Sequence, residues 1–531
     1  MRPRGYLLMV LNTHQPFVRH PEIEHSPEET WLNEAITESY IPLLETGEAW
    51  VRDGIDGKLT FSWSPCLLAM LTDPLRQQRY VRYMEERIKF LEWERERLSG
   101  EPALARLARM YHRRFIRCHE LFVQIWHGQL VSALRRLEAS GVISLITSAA
   151  THAYLPLWEL YPEIVELQIR AAIRYHQDCF GKRPNGFWLP ECGFFPGLDS
   201  LLCNNGIKFF FLDAHGILNG DPEPKYRQYA PVHTPCGAAV FARDWQSHEQ
   251  VWLKDRGYPG DPVYMDQEGD IGFGLTPEDL LRLTHQQSPT PTGIRYYRGK
   301  GSSRQAYDPQ VAFARCVEHA SHFVKSCQQQ AERLAALIGR EPVIVAMFDT
   351  EHFGHWWYEG TIWLDFVVRK LACEQNVIKL ITAEEYLRDQ PTNQVVKPSM
   401  SSWGYQGYSE TWLMGRNHWI YPAVYSAIDA FKQLAARNPT PEGVHRAALN
   451  QYLRELLLAQ SSDWAYLMWA QMAQRYAESR VKVHLDNMDI IRRQFDNNCF
   501  DSEWLESVRK RNNLFATTDL LGFYKAILAG R

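Results

Sequence analysis

Apolar, β-rich runs recur along the chain at residues 5–11, 59–63, 142–147, 185–190, 207–212, 238–242, 343–348 and 377–381. Most are continuous rather than alternating, the pattern of parallel strands buried on both faces. Stretches rich in Glu, Arg and Leu lie between them, and residues 75–98 and 101–139 predict helices. Alternation of strand and helix over about 390 residues predicts a parallel α/β barrel or an open sheet. Polar residues (His14, His152, Glu191, Asp213, Asp244 and Asp349) repeatedly follow a strand directly. The active face of a (β/α) barrel is built from that position, so a barrel is the preferred reading. Residues 213–235, punctuated by Asn219-Gly220-Asp221-Pro222-Glu223-Pro224, and residues 286–303 read as loop excursions. After Pro391 the character changes. Residues 401–407 are loop-like, and 422–526 are helical in pattern, with Leu453, Leu456, Leu457 and Leu458 and then Ile490 and Ile491 at helical spacing. A helical domain is expected from about residue 396 to 531, after a catalytic unit over 1–395. No internal repeat is visible.

Composition narrows the class. A chain of 531 residues predicts more than one domain, or one large barrel with an addition. A net charge of −4, with Lys and Arg scattered rather than banked, gives no reason to expect nucleic acid or an anionic membrane as partner. The apolar run Tyr6-Leu7-Leu8-Met9-Val10-Leu11 stops at Asn12 and is too short for a signal segment, so it reads as the first core strand. The ten cysteines show no C-x-x-C spacing and predict reduced thiols in a cytoplasmic protein, not a disulfide framework or zinc site. The 18 Trp suit a Trp-rich core, but many stand beside Gly, His, Asp or Glu, which is more typical of a site.

Two carboxylates carry the chemistry. Glu191, in Trp188-Leu189-Pro190-Glu191-Cys192-Gly193, stands at the end of the run Asn185-Gly186-Phe187-Trp188-Leu189, and Asp349 ends the run Val343-Ile344-Val345-Ala346-Met347-Phe348. The aromatic cluster Phe353-Gly354-His355-Trp356-Trp357-Tyr358 follows the second acid. Two acids at strand ends beside aromatic surface suit cleavage of a sugar acetal. One carboxyl attacks or stabilises the cationic carbon and the other protonates the leaving oxygen, while flat side chains hold the apolar faces of the sugar. Either acid alone also fits a cap or a buried ion-pair partner; their joint occurrence with His14 and His152 at strand ends is harder to explain structurally. Histidines and acids at barrel ends also make hydrolase metal sites, but no H-x-H or H-E-x-x-H pattern occurs, and no metal is expected.

Five segments in order carry a family resemblance: Asn12-Thr13-His14-Gln15-Pro16; Gly141 through Thr151-His152; Trp188 to Gly193; Phe348-Asp349 through Phe353-Gly354-His355-Trp356-Trp357; and Ser401-Ser402-Trp403-Gly404. They resemble the motifs of glycoside hydrolase family 57, in particular its glucan-branching members, over about residues 5 to 475. The resemblance implies a distorted (β/α)7 barrel with an inserted small subdomain, about 192–235, and a C-terminal α-helical domain closing over the cleft. It implies a retaining mechanism with Glu191 as nucleophile and Asp349 as acid/base, their carboxyls about 5–5.5 Å apart. The implied substrate is an α-1,4-glucan such as amylose or glycogen, and the acceptor a sugar 6-hydroxyl. No cofactor and a monomeric state are expected.

The same resemblance places His14, Trp31, His152, Tyr226, Arg243, Trp252, Gly260, Trp403, Trp412 and Asp463 at substrate-binding positions, with Tyr226 the loop tyrosine that favours transfer over hydrolysis. The chain departs from the family pattern at Asn12, where the usual pair of histidines loses its first member, and at Ser144, Met414 and Met472. These departures leave the catalytic pair intact and bear on the substrate subsites. An α-amylase or 4-α-glucanotransferase of the same fold, and a non-catalytic glucan-binding protein, are the alternative readings.

Overall fold

In a computed structural model of the chain, residues 3–299 and 304–530 are described. Residues 300–303, the end of the expected 286–303 loop, lie outside them. Among the described residues eleven strands occur, in chain order: β1 (Gly5–Thr13), β2 (Leu59–Trp63), β3 (Ile143–Ser148), β4 (Gly186–Trp188), β5 (Phe209–Leu212), β6 (Val232–His233), β7 (Ala239–Ala242), β8 (Tyr297–Arg298), β9 (Gln305–Ala306), β10 (Val343–Asp349) and β11 (Ile378–Leu380). Every expected run coincides with one of them to within one or two residues at either end. The short antiparallel strands β6, β8 and β9 have too few residues to show a period.

Seven strands run parallel in the order β10-β1-β2-β3-β4-β5-β7. The ring closes past β7, where the Asp244 N–H donates to the Val345 carbonyl of β10 at 2.8 Å. This is a distorted seven-stranded barrel with helices outside it. All nine residues of β1 are buried, which explains the continuous rather than alternating hydrophobic run. β1 pairs with β11 over Gly5 to Leu7 and with β2 from Val10 onward, so one edge serves two neighbours. Its register with β10 sets Asn12 opposite Asp349 at the top of the barrel.

Three expectations change. The range 192–235 contains β5, which is hydrogen-bonded between β4 and β7 in the main sheet, so this range is not set apart as a subdomain. The helix expected over 101–139 is Pro102–His119, a wide turn at Glu120–Ile125 and Leu130–Ala139, broken where His127 and Gly128 take positive φ. Cys203 and Cys236 form a disulfide, where free thiols were expected. The fold brings their Cα atoms to 6.3 Å, within bridging range, across a separation of 33 residues that no local pattern reveals.

The C-terminal part is helical, including Ile420–Arg437, Gly443–Ala459, Ser462–Trp469 and Gln474–Asp496. It docks on the segment after β3: the Ser462 N–H donates to the His152 carbonyl at 3.1 Å, and Gln168 Nε2 donates to Gln460 Oε1 at 3.0 Å. That contact carries the start of the helix Ser462–Trp469 to the mouth of the barrel. Among the described residues no helix is long and apolar enough to cross a membrane.

Candidate active site

Glu191 stands in a tight turn directly after β4, with φ 61° and ψ 19°; Cys192 beside it also has positive φ. A left-handed backbone at a non-glycine residue costs free energy and persists where the surroundings impose it. Here the surroundings hold both ends of the residue. The Trp403 N–H donates to the Glu191 carbonyl at 2.9 Å, and Trp403 Nε1 donates to Glu191 Oε2 at 2.8 Å. Ser462 Oγ donates to the other oxygen, Oε1, at 2.9 Å, and His152 Nδ1 lies 3.0 Å from the same hydroxyl.

Asp349 ends β10, and Asn12 Nδ2 donates to its Oδ1 at 3.2 Å, as the strand register requires. Burial pushes both carboxyls up, Glu191 to about 7, with a further rise from the charge of Asp349, and Asp349 to about 6. The charge of Asp349 thus reaches Glu191, which brings the two acids into one electrostatic neighbourhood.

Behind this pair lies a stack of two histidines. His14 and His152 are 3.8 Å apart, their rings within 8° of parallel. His14 Nε2 is 2.9 Å from Asp463 Oδ2 and Nδ1 is 2.9 Å from Ser64 Oγ. Burial alone would discharge His14, but the Asp463 carboxylate outweighs it and raises the imidazole well above its ordinary value. Asp463 is correspondingly lowered against its burial. His152 is driven the other way, first by burial and then by the charge of His14. The stack therefore holds one imidazolium and one neutral ring, and the positive charge of His14 opposes the rise of Asp349.

Arg243 pairs with Asp213, and its guanidinium lies 5.9 Å from the Trp403 ring centroid. Despite burial, Asp213 is held down at about 2 by His215 and Arg243. Trp252 packs edge-on to the exposed Trp356 at 6.1 Å and against His352 at 5.1 Å, flanking the loop that follows Asp349.

A model for glycosyl hydrolase family 57 matches residues 8–399. The chain belongs to glycosyl hydrolase family 57. A second model, for the C-terminal part of 1,4-alpha-glucan branching enzymes, matches residues 423–523. The chain is 30% identical to a 1,4-alpha-glucan branching enzyme of Thermococcus kodakarensis, over 96% of this chain and 77% of that one. An alpha-amylase from Thermotoga maritima superimposes with a TM-score of 0.91 at 36% identity, covering 99% of both chains. A branching enzyme from Pyrococcus horikoshii gives 0.87 at 31% identity, covering 98% of this chain and 97% of that one.

Within this family 57 barrel the anticipated residues do not all converge. His14, His152, Trp403 and Asp463 join Glu191 in one hydrogen-bonded or ring-stacked network through Ser462, Asp349 lies within reach of the His14 charge, and Arg243 borders the network. Tyr226 does not. Its ring lies under the Arg340 guanidinium at 5.2 Å, and Arg340 precedes the first residue of β10. Tyr229 close by accepts from the Val343 N–H at 2.9 Å. β10 runs for seven residues from there to Asp349, so Tyr226 sits at the opposite mouth, roughly 20 Å from the acids.

Trp412 is 1% exposed, stacked on Tyr154 at 4.2 Å; it supports the wall rather than lining the cleft. Trp31 meets Tyr476 edge-on at 5.7 Å, against the helix Gln474–Asp496. Gly260 is exposed, and a Cβ there would meet the Lys254 carbonyl at 2.2 Å, so a close approach of backbone accounts for the glycine.

Three contributors escape the motif pattern. Ser462 adjoins Asp463 but reaches Glu191 only after domain docking. Glu351, two residues beyond Asp349, accepts from the Tyr40 hydroxyl and from the His14 N–H at 3.3 Å, and burial pushes it up to about 8. Tyr466 lies close enough to Glu191 and Asp349 for both charges to raise its phenol, after burial. The D-x-E spacing at Asp349-Thr350-Glu351 was the available signal for the second of these.

Among the described residues, one group has metal-ligand spacing: His25, Glu86 and His285, with ligand atoms within 4.8 Å of one another, away from the acid pair. Its two imidazoles are stacked face to face at 3.8 Å, so their lone pairs run side by side instead of converging, and Arg79 and Arg82 line the same hollow.

Proposed function

We propose that the protein is a retaining α-glucan transferase that cleaves α-1,4 links and makes α-1,6 branches in amylose- or glycogen-like chains, with residues 1–395 as its catalytic unit. The observation that carries this reading is the buried, charge-coupled pair Glu191 and Asp349 at the ends of β4 and β10, with two donors trained on Glu191 alone.

Asp349 in its acid form protonates the glycosidic oxygen as Glu191 attacks the anomeric carbon from the opposite face, leaving a glycosyl ester on Glu191 and a free chain end. Asp349, now a carboxylate, takes the proton of the acceptor hydroxyl that displaces the ester. Glu191 is raised to about 7 and Asp349 to about 6, so the first proton taken up rests on Glu191. The mechanism needs it on Asp349. Trp403 and Ser462 stabilise the Glu191 carboxylate, and a glycosidic oxygen beside Asp349 gives its proton an acceptor. His14, His152, Arg243, Trp252, Trp403 and Asp463 are the proposed substrate contacts.

The branching assignment rests on the match of residues 423–523 to the branching-enzyme C-terminal model and on the named relatives. The Thermococcus enzyme, solved with glucose, superimposes with a TM-score of 0.88. A second reading, hydrolysis of α-1,4 links, is favoured by the likeness to the Thermotoga alpha-amylase and by the remote position of Tyr226, which leaves the intermediate without the expected aromatic shield.

Incubation with amylose, enzymatic debranching and chain-length profiling separates the two. New α-1,6 links that vanish in Glu191→Ala support transfer; reducing ends that accumulate without branches support hydrolysis.

A further inference from the structure

Two segments supply the donors to Glu191, and both continue into exposed aromatic side chains. On the helix Ser462–Trp469, Ser462 bonds Glu191 and Asp463 bonds His14. Tyr466 lies four residues after the first and three after the second, hence on the same face of the helix, and Trp469 lies three residues further. On the other segment Tyr405 comes two residues after Trp403.

The rings form a succession: Tyr466 to Trp469 at 6.0 Å between centroids and 35° between planes, then Trp469 to Tyr405 at 6.5 Å and 38°. Tyr466 is 43% exposed, Trp469 36% and Tyr405 57%, whereas Trp412 and Trp464 in the same segments are buried. Leu413, Met414 and Met472 are also exposed. Grouped exposed apolar side chains of this size mark a binding surface rather than a core.

We propose that Tyr466, Trp469 and Tyr405 form an aromatic track that binds a linear α-1,4-glucan chain as it passes outward from Glu191. The proposal rests on the glucan reading of the site. Flat rings match the apolar faces of glucose units, and the tilt from one ring to the next suits a chain whose successive sugars turn relative to one another. The influence of both catalytic charges on the Tyr466 phenol places the inner end of the track beside the reacting bond. Donors on Glu191 and stacking rings then share two segments, so chain binding and nucleophile alignment are mechanically linked.

The test is calorimetric titration of maltoheptaose into the protein and into Trp469→Ala and Tyr405→Ala, each carrying Glu191→Gln so that the ligand is not turned over, with melting temperatures recorded and rates taken on the same variants with Glu191 intact. Both positions are exposed, and Tyr405 stands in a loop. Dissociation constants weakened about tenfold in either folded variant are expected, with kcat/KM for amylose falling more than that for an aryl maltoside. Constants within twofold of the parent in both variants overturn the track. So does a concentration-dependent dimer that Trp469→Ala abolishes while glucan affinity stays unchanged, since a second copy would then occupy the surface. If the parent binds maltoheptaose through these rings yet forms no branches, the track stands and the branching assignment falls.

Discussion

Ser462 Oγ donates to Glu191 Oε1 at 2.9 Å, joining residues 271 positions apart that belong to the helical part and to the barrel. The nucleophile of the proposed reaction is therefore only fully hydrogen-bonded when the C-terminal helices are docked. Ser462→Ala removes a donor to a charged acceptor, an interaction of about 1.5–3 kcal/mol. The expected result is a loss of about 10- to 100-fold in kcat. The Glu191 carboxylate loses stabilisation, so its pKa rises further above that of Asp349 and the alkaline limb of the pH–rate profile, set by the higher of the two, moves to higher pH.

The pair itself predicts a narrow bell. Activity requires one proton on the two carboxyls: below about 6 both are protonated and Glu191 cannot attack, and above about 7 both are ionised and Asp349 cannot protonate the leaving oxygen. Initial rates on an unactivated maltooligosaccharide across pH 4–9 check this.

Stability should carry the opposite signature from an ordinary paired acid. Glu191 is raised from 4.5 to about 7 in the fold, so between those values the native state binds more protons than the unfolded chain and stability falls as pH rises. Glu191→Gln removes that penalty. At pH 8 the variant should be more stable than the parent by about 1–3 kcal/mol, and at pH 4 the difference should vanish. Denaturant melts at the two pH values decide it.

Asp463→Asn tests the histidine stack. Without the carboxylate, His14 loses what holds its proton, and burial drives its pKa down. Asp349 then loses a neighbouring positive charge and its pKa rises. An upward shift of the acid limb, set by Asp349 as the lower of the two acids, with the His14 ring neutral by NMR at pH 7, is the expected outcome; an unmoved limb contradicts the linkage.

Tyr226→Ala is predicted to leave the ratio of transfer to hydrolysis within about twofold of the parent, because Tyr226 packs under Arg340 at the far mouth of the barrel. Product analysis on amylose reads this directly.

The barrel strands were legible because they are buried on both faces and most spell a continuous apolar run, with small Thr and Ser the polar residues of β2 and β3, and Glu191 and Asp349 because each follows such a run inside an ordered motif. Asn12 was legible only as a departure, yet its place opposite Asp349 gives it a defined bond. What the chain alone concealed depends on tertiary approach. The Cys203–Cys236 bridge, the arrival of Ser462 at Glu191 and the burial of Trp412 behind Tyr154 come from the packing of distant segments. Tyr226 misled because a matching residue in a loop says nothing about which end of the barrel the loop returns to.

The central claim is a covalent glycosyl ester on Glu191 resolved by Asp349. In Asp349→Asn, α-maltosyl fluoride can still load the nucleophile, since fluoride leaves without acid assistance, but the base that activates the acceptor is missing. Intact mass spectrometry and peptide mapping of that variant are predicted to show one maltosyl unit on Glu191, absent when Glu191→Gln is added. Fluoride release with no adduct, or an adduct on another carboxylate, would contradict it.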